Sequence, residues 1–392
     1  MVTWRRRALI LVTMVTLGVA CQGAAASPPI GTDIVGDTFY QPPSPLPAGQ
    51  PGDLIRTEEV AAPSGSRAWR VLYHSRSTYG ADIAVSGLVV APSSPAAPGS
   101  RPVVAWGHGT VGSADRCAPS RQSDPIAQVA GLSRLVQAGA VIAASDYEGL
   151  GGPGPHPYLV GASEGRSVLD AARAAEHLSA SGAGDRVVVA GYSQGGQAGL
   201  FASELAPSYA PDLRLLGTAV AAPAVDVSSL AASAEHHRGD TGLIVAAVAG
   251  YAAVDPTADP GTVLTAAGRS RLHLVIADGC NDQALASYAH LGMWGTFSTD
   301  PLTTEPWARG WRRDSTLDGV NGPVLIVQGG RDALVPQATT SALVRQLCHQ
   351  NATVAYRVYN SATHASIPVA SSVDVMAWIA ARVAGLPVPT TC

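Results

Sequence analysis

The chain has 392 residues, of which 46% are apolar and only 14% charged, and its formal net charge at pH 7 is −4. That is enough apolar material for one large domain carrying an insertion, or for two domains. All 25 basic residues are arginine and form no basic stripe along which a phosphate backbone could run, so nucleic acid is excluded as an expected partner.

Residues 1–26 read as an export signal: Arg5, Arg6 and Arg7, then the apolar run "ALILVTMVTLGV", then small residues ending in "AAA" before Ser27. A permanent span needs about 20 apolar residues, so no stable membrane anchor is expected and cleavage after Ala26 gives a secreted product. Lipoprotein anchoring at Cys21 in "LGVAC" is the lesser alternative, because the usual leucine three residues earlier is missing. Either route leaves Cys117, Cys280, Cys348 and Cys392, an even count that in an exported chain favours two disulfides. Three pairings are open. No two of the four have a C-x2–4-C spacing, so neither a metal nor a cofactor is expected.

Residues 27–62 are rich in proline and glycine ("FYQPPSPLPAGQPGD") and are expected to wrap the surface without regular structure. "AWRVLYHS" and "IAVSGLVVAP" then read as antiparallel strands. "PVVAWGHG", "AVIAASDYEG" and "RVVVAGYSQGG" follow as short buried strands with helices between them, which implies a mostly parallel sheet. One helix is expected over 163–179. The alternation breaks after the sixth expected strand, "LRLLGTAVAAP", and resumes at "GPVLIVQGGRDALVP", followed by a helix near 337–350, the strand in "TVAYRVYNSATHAS" and a C-terminal helix opened by a Ser371–Asp374 capping box. The domain scheme is therefore a core of 63–225 and 306–392 interrupted by an insertion at 226–305.

Two G-x-S-x-G matches occur, "GYSQG" at 191–195 and "GASEG" at 161–165. Only the first follows a buried-strand pattern and precedes a helix, the context in which a sharp turn exposes a nucleophilic hydroxyl. Ser193 is therefore the candidate nucleophile, and Ser163 is read as a cap of the 163–179 helix. A serine hydroxyl needs a histidine base and an orienting carboxylate, in the order Ser, acid, His for this strand pattern. Asp332 follows the strand "VLIVQG", and His364 follows the next helix and strand. Asp278 and Asp282, after the strand-like "LHLVIADG", are rivals for the acid; they fall in the insertion, as do His236, His237, His273 and His290. An oxyanion needs two amide donors. The amide of Gln194 follows from the turn, and the second donor is expected in "GHGT", at Thr110 or else Gly109, with His108 beside them structural.

The segments "DTFYQPPSPLPAGQPGDLIRTEEV", "RCAPS", "ASDYEGLGGP", "VLDAARAAEHL", "VAGYSQGG" and "VQGGRDALVP…H" together resemble the secretory lipase family, α/β-hydrolases like yeast lipase A, from residue 31 to the end. The resemblance implies an α/β-hydrolase fold with helices on both faces of the sheet and an inserted, mainly helical cap over the active site. It implies an ester hydrolase with Ser193, Asp332 and His364 as its triad, and the disulfides Cys117–Cys280 and Cys348–Cys392. It would also lead to an acidic residue in the turn after "AW", where "GHGTVGSA" has none before Asp115.

The expected function is a secreted serine carboxylic ester hydrolase, a triacylglycerol lipase or esterase, acting as a monomer on lipid-like or other apolar esters. An acyltransferase with the same triad and a non-catalytic binding relative are the competing classes. The run "TGLIVAAVAGYAAV" at 241–254 is too short to span a membrane and too apolar to face water. Ile244, Val248 and Tyr251 are accordingly expected to line an acyl-binding face of the cap.

Overall fold

The computed structural model describes residues 38–126, 129 and 131–392; the expected export signal, Cys21 and residues 27–37 lie outside the described residues. Nine strands form one sheet: β1 (Leu54–Val60), β2 (Ser66–Arg76), β3 (Asp82–Pro92), β4 (Arg101–Gly107), β5 (Val141–Ser145), β6 (Ala183–Tyr192), β7 (Arg214–Ala221), β8 (Val324–Gly329) and β9 (Val354–Tyr359). Their order is β1-β2-β3-β5-β4-β6-β7-β8-β9. β1, β2, β3 and β5 pair antiparallel, and every pair from β5 to β9 is parallel. The helix Gly161–His177 covers one face through Val168, Leu169 and Ala172, and the helix Ser372–Val383 covers the other through Trp378 and Ile379. Burial on both faces is why the parallel strands read as unbroken apolar runs such as Val187–Ala190. This is the α/β-hydrolase fold.

Several local expectations are corrected. The 27–62 segment does hold regular structure, because Leu54–Val60 supplies an edge strand to β2; the chain therefore leaves the sheet after the seventh strand, not the sixth. Ahead of it Phe39 and Tyr40 are buried against Leu72 and Ala84. "LHLVI" is a helix, Leu272–Ile276, with only Val275 buried, rather than an alternating strand. The 371–374 capping box is absent. Ser371 Oγ donates instead to the Ile367 carbonyl at 2.7 Å, and Asp374 accepts from the Tyr359 hydroxyl at 2.5 Å while pairing with Arg357.

Between β7 and β8 the chain forms helices that include Val227–His236, Thr241–Ala252, Asn281–Ala289 and Trp307–Asp314. They share a core of their own, with Leu230, Ile244, Val248, Tyr288, Trp307 and Trp311 in it, so this packing runs on beyond residue 305. Tyr158, Leu159 and Val160, just ahead of the helix Gly161–His177, join the same core. The disulfides are Cys117–Cys280 and Cys348–Cys392. The first ties the inserted segment to the loop after β4, beside a backbone bridge between Gly112 and Cys280.

Candidate active site

β6 runs into Ser193, and the helix Gln194–Tyr209 runs out of it. Ser193 has φ +57° and ψ −116°, a conformation that a residue with a side chain holds only when its surroundings impose it. The flanking glycines show what imposes it. A Cβ on Gly191 would lie 2.0 Å from the Gly195 carbonyl oxygen, and one on Gly195 would lie 2.0 Å from that of Gly107. Backbone therefore packs on backbone at the end of β4, and the serine is turned out of the sheet.

His364 Nε2 lies 2.9 Å from Ser193 Oγ, and its Nδ1 lies 2.8 Å from Asp332 Oδ2. The carboxylate is itself held. Asp332 Oδ1 accepts the amides of Leu334 and Val335 at 3.0 and 2.8 Å, and Oδ2 accepts Gln328 Nε2 at 3.2 Å. Gln328 is fixed in turn by the Thr340 hydroxyl on its Oε1. The Tyr192 hydroxyl donates to the His364 carbonyl at 2.8 Å, and the two rings lie 5.0 Å apart. Burial raises the pKa of Tyr192, with the Asp332 charge acting in the same direction, so the hydroxyl stays a donor. With Ser193 and Asp332 buried and His364 half-buried, the arrangement can do general-base-assisted nucleophilic chemistry.

The rival residues are elsewhere. Ser163 stands inside the first turn of the helix Gly161–His177 rather than at its cap, and its hydroxyl donates to Glu148 Oε2 at 2.5 Å. The Asp278 carbonyl receives the guanidinium of Arg116, the neighbour in sequence of disulfide-bonded Cys117. His236 and His237 end the helix Val227–His236, and His273 is in Leu272–Ile276.

At the expected oxyanion position, Gln194 is the first residue of the elbow helix, whose first amides have no intrahelical acceptor. Gly109 faces the Tyr192 ring, and the Thr110 hydroxyl is hydrogen-bonded to the Tyr158 hydroxyl at 2.8 Å. His108 is buried, with Nδ1 2.7 Å from the Gly109 carbonyl. Asp146, just after β5, accepts the Ser120 amide at 2.9 Å and the hydroxyl of Ser86 in β3 at 2.6 Å.

Ile244, Val248 and Tyr251 are all buried inside the core of the inserted helices. A narrow cleft beside Thr110 and Tyr158 is bordered from the same helix by Gly242, Leu243 and Ala246, and also by Val275 and Leu285. The sequence reading named Ile244, Val248 and Tyr251, whereas the residues of this helix that border the cleft are Gly242, Leu243 and Ala246. It also missed Gln328, Tyr192, His156, Tyr158 and Glu164; the last three stand just ahead of, or in the first turn of, the helix Gly161–His177.

Residues 126–390 match the family model described as secretory lipase. The sequence is 27% identical to "Secreted triacylglycerol lipase LIP4" of Malassezia globosa over 91% of this chain and 82% of that protein. It is 26% identical to "Probable inactive lipase MT1628" of Mycobacterium tuberculosis over 90% of this chain and 82% of the relative. The fold matches Candida antarctica lipase A in its closed state with a TM-score of 0.80 at 22% identity, covering 91% of this chain and 88% of that one. With the family model covering well over half of its length, the chain belongs to the secretory lipase family, and so to the enzymes that hydrolyse carboxylic esters.

Proposed function

We propose that the chain is an exported hydrolase of apolar carboxylic esters, acylglycerols among them, that works through an acyl-enzyme on Ser193. The observation that carries this reading is the unbroken hydrogen-bonded line from Ser193 Oγ through the His364 ring to Asp332. Ser193 Oγ attacks the ester carbonyl carbon while His364 Nε2 takes its proton, and Asp332 stabilises the imidazolium that forms. The Gln194 amide and an amide of the Gly109–Thr110 turn hold the oxyanion. Collapse breaks the ester C–O bond, and the alcohol leaves with the proton from His364. A water deprotonated by His364 then releases the acid and restores Ser193.

Two disulfides support export, since such bonds persist in oxidising compartments. The inserted helices beside Thr110 serve as the cap, and an acyl chain enters on the Leu243 and Ala246 side of Thr241–Ala252 by parting the narrow gap there, which has room for about one water. A fluorophosphonate probe with peptide mapping, combined with nitrophenyl esters from acetate to palmitate and tributyrin, tests the reading. The expected result is label on Ser193 and turnover that Ser193→Ala abolishes. Because one relative bears the name of an inactive lipase, the competing reading is a non-catalytic chain; it predicts neither label nor turnover.

A further inference from the structure

The buried polar groups behind the elbow exceed what packing requires. The Gln194 side chain is buried, and its Nε2 donates to His156 Nε2 at 3.0 Å and to Glu164 Oε1 at 2.8 Å. His156 Nδ1 is 2.9 Å from the Glu148 carbonyl, which can only accept, so the ring proton is on Nδ1 and Nε2 is free to accept from Gln194. Glu164 Oε1 also accepts the Leu159 amide at 2.9 Å, while its Oε2 is buried without a partner among the described residues. Thr110, on the opposite side of the expected oxyanion, is held by Tyr158. All the groups that hold these two residues come from one nine-residue stretch, "HPYLVGASE".

That stretch is fixed on three sides. Asp314 Oδ1 accepts the Gly161 amide at 3.2 Å. Gly161 and Gly165 press on Phe201 and the Ala202 amide of the elbow helix. Gly250 of the inserted helix lies against the Tyr158 backbone, where a Cβ would come within 2.5 Å. Burying this many polar groups is costly unless they are satisfied, and an apolar residue at position 194 would fill the same space at less cost. What the network provides that an apolar residue would not is a fixed position for residue 194 relative to residue 110.

We propose that the segment from His156 to Glu164 is a brace that sets the oxyanion site, with Glu164 and His156 positioning the Gln194 amide and Tyr158 positioning the Gly109–Thr110 turn. The inference rests on the reading of Ser193 as the nucleophile and adds three positioning residues to it. Oxyanion donors act through geometry fixed before the reaction, so a displacement well below 1 Å weakens the transition state while leaving substrate binding nearly alone. The protonation states fit the role. Burial lowers the His156 pKa to about 4, which keeps Nε2 an acceptor at neutral pH. Burial likewise pushes the Glu164 carboxyl up to about 8, so it meets the Gln194 side chain as a neutral acid. The groups around Glu164 are His156, Gln194, Tyr147, Tyr158 and Asp314, and of these the Asp314 charge also disfavours its ionisation.

The test compares Glu164→Ala, Glu164→Gln and Tyr158→Phe with wild type on nitrophenyl butyrate, with rates expressed per fluorophosphonate-reactive site so that a misfolded fraction does not count. Glu164→Ala is expected to lower kcat roughly 10- to 100-fold with KM changed by less than about threefold. Glu164→Gln keeps an acceptor oxygen and recovers kcat to within about threefold at pH 7. It also removes the fall in kcat that wild type shows as pH rises through the Glu164 titration and an anion appears against the Gln194 side chain. Tyr158→Phe, a change that leaves the ring in place, lowers kcat roughly 3- to 10-fold at constant KM. If Glu164→Ala gives no folded protein, the Glu164→Gln pH profile and the Tyr158→Phe kcat decide the matter. Unchanged kcat in Glu164→Ala or Tyr158→Phe, or an alkaline limb that survives in Glu164→Gln, overturns the brace while wild-type turnover leaves Ser193 intact. A wild type without turnover overturns both readings together.

Discussion

Gly195 abuts Gly107 so closely that a Cβ on the first would lie 2.0 Å from the carbonyl oxygen of the second. The elbow that presents Ser193 and the strand end that leads into Gly109 and Thr110 are therefore in direct backbone contact, beside the Gly107–Gly191 pairing of β4 and β6. Gly195→Ala cannot be accommodated by turning a side chain, because the obstacle is main chain. It is expected to destabilise the fold by about 1–3 kcal/mol and, in whatever remains folded, to cost roughly 100-fold in kcat. Gly239→Ala, where nothing lies within 4 Å, is the control and should leave both unchanged. Thermal melts with site-normalised rates give the answer, and a fully active Gly195→Ala would rule out the backbone contact as the device that shapes the site.

Asp332 is expected to serve by orienting His364 and stabilising its imidazolium, so Asp332→Asn should fold normally and lose kcat by about 10⁴-fold. Asp278→Asn and Ser163→Ala should keep near-normal rates, since neither residue touches His364 or Ser193. Because Gln328 holds Asp332 Oδ2, Gln328→Ala should fall between the two, with a loss smaller than that of Asp332→Asn. Full activity in Asp332→Asn with loss in Asp278→Asn would move the acid to the insertion.

The elements easiest to read were those whose burial is two-sided or whose spacing is fixed by covalent geometry. β4 and β6 are buried on both faces, so "VVAW" and "VVVA" announce themselves without any knowledge of partners. The elbow was legible because Gly191 and Gly195 have no alternative residue that fits. β1 was hidden because its residues are mostly half-exposed and its pairing comes only from β2, a tertiary relation that proline-rich flanks disguise. The face of Thr241–Ala252 was hidden for the opposite reason. Nearly every residue of that helix is buried, so periodicity carries no phase and the sequence could not choose Leu243 over Ile244. The network around Gln194 and Thr110 left no pattern at all, because histidine, glutamate and tyrosine in a loop and a helix start are ordinary residues until the fold brings His156 and Glu164 to the Gln194 side chain and Tyr158 to Thr110.

His156 and Glu164 should give stability opposite pH slopes. A buried neutral histidine with a pKa near 4 binds its proton less readily folded than unfolded, so its contribution is present above pH 6.5 and is lost as pH falls toward 4, by about 3 kcal/mol. Glu164, raised to about 8, holds its proton when the unfolded chain has released it, so stability falls as pH rises from about 4.5 to 8. Melting curves of wild type and Glu164→Gln should therefore diverge as pH rises, with the variant losing less. Parallel curves across that range would mean that the Glu164 carboxyl is ionised in the folded protein.

Cys348–Cys392 staples the C-terminal tail, whose Thr391 amide also bonds to the Val354 carbonyl at the start of β9. The linked residues are 44 apart, so removing the bond should cost about 2–4 kcal/mol, mainly through greater freedom of the unfolded chain. Cys348→Ser/Cys392→Ser should melt earlier with site-normalised kcat nearly unchanged. Cys117→Ser/Cys280→Ser should in contrast disturb turnover as well, because that link joins the loop carrying Gly109 and Thr110 to the inserted helices. Equal loss of stability and unchanged kcat in both double variants would remove the functional distinction between the two bonds.

The acyl face can be tested by substitutions on adjacent residues of one helix. Leu243 borders the cleft beside Thr110, whereas Ile244 points into the core with Val248 and Tyr251. Each apolar methylene withdrawn from water is worth about 0.8 kcal/mol, so a chain that extends along Leu243 gains affinity until the cleft is full. Leu243→Trp should fill the cleft and, in the folded fraction, lower kcat/KM for palmitate esters at least tenfold more than for acetate, at a stability loss of about 1–3 kcal/mol because Leu243 is itself buried. Ile244→Ala should do the reverse: it leaves a core cavity costing about 2–5 kcal/mol and reduces activity on all chain lengths alike, in proportion to the folded fraction. Chain-length selectivity that follows Ile244 and ignores Leu243 would return the acyl site to the face expected from sequence. If neither substitution changes selectivity, the inserted helices do not receive the acyl chain, and a short soluble ester becomes the substrate to seek.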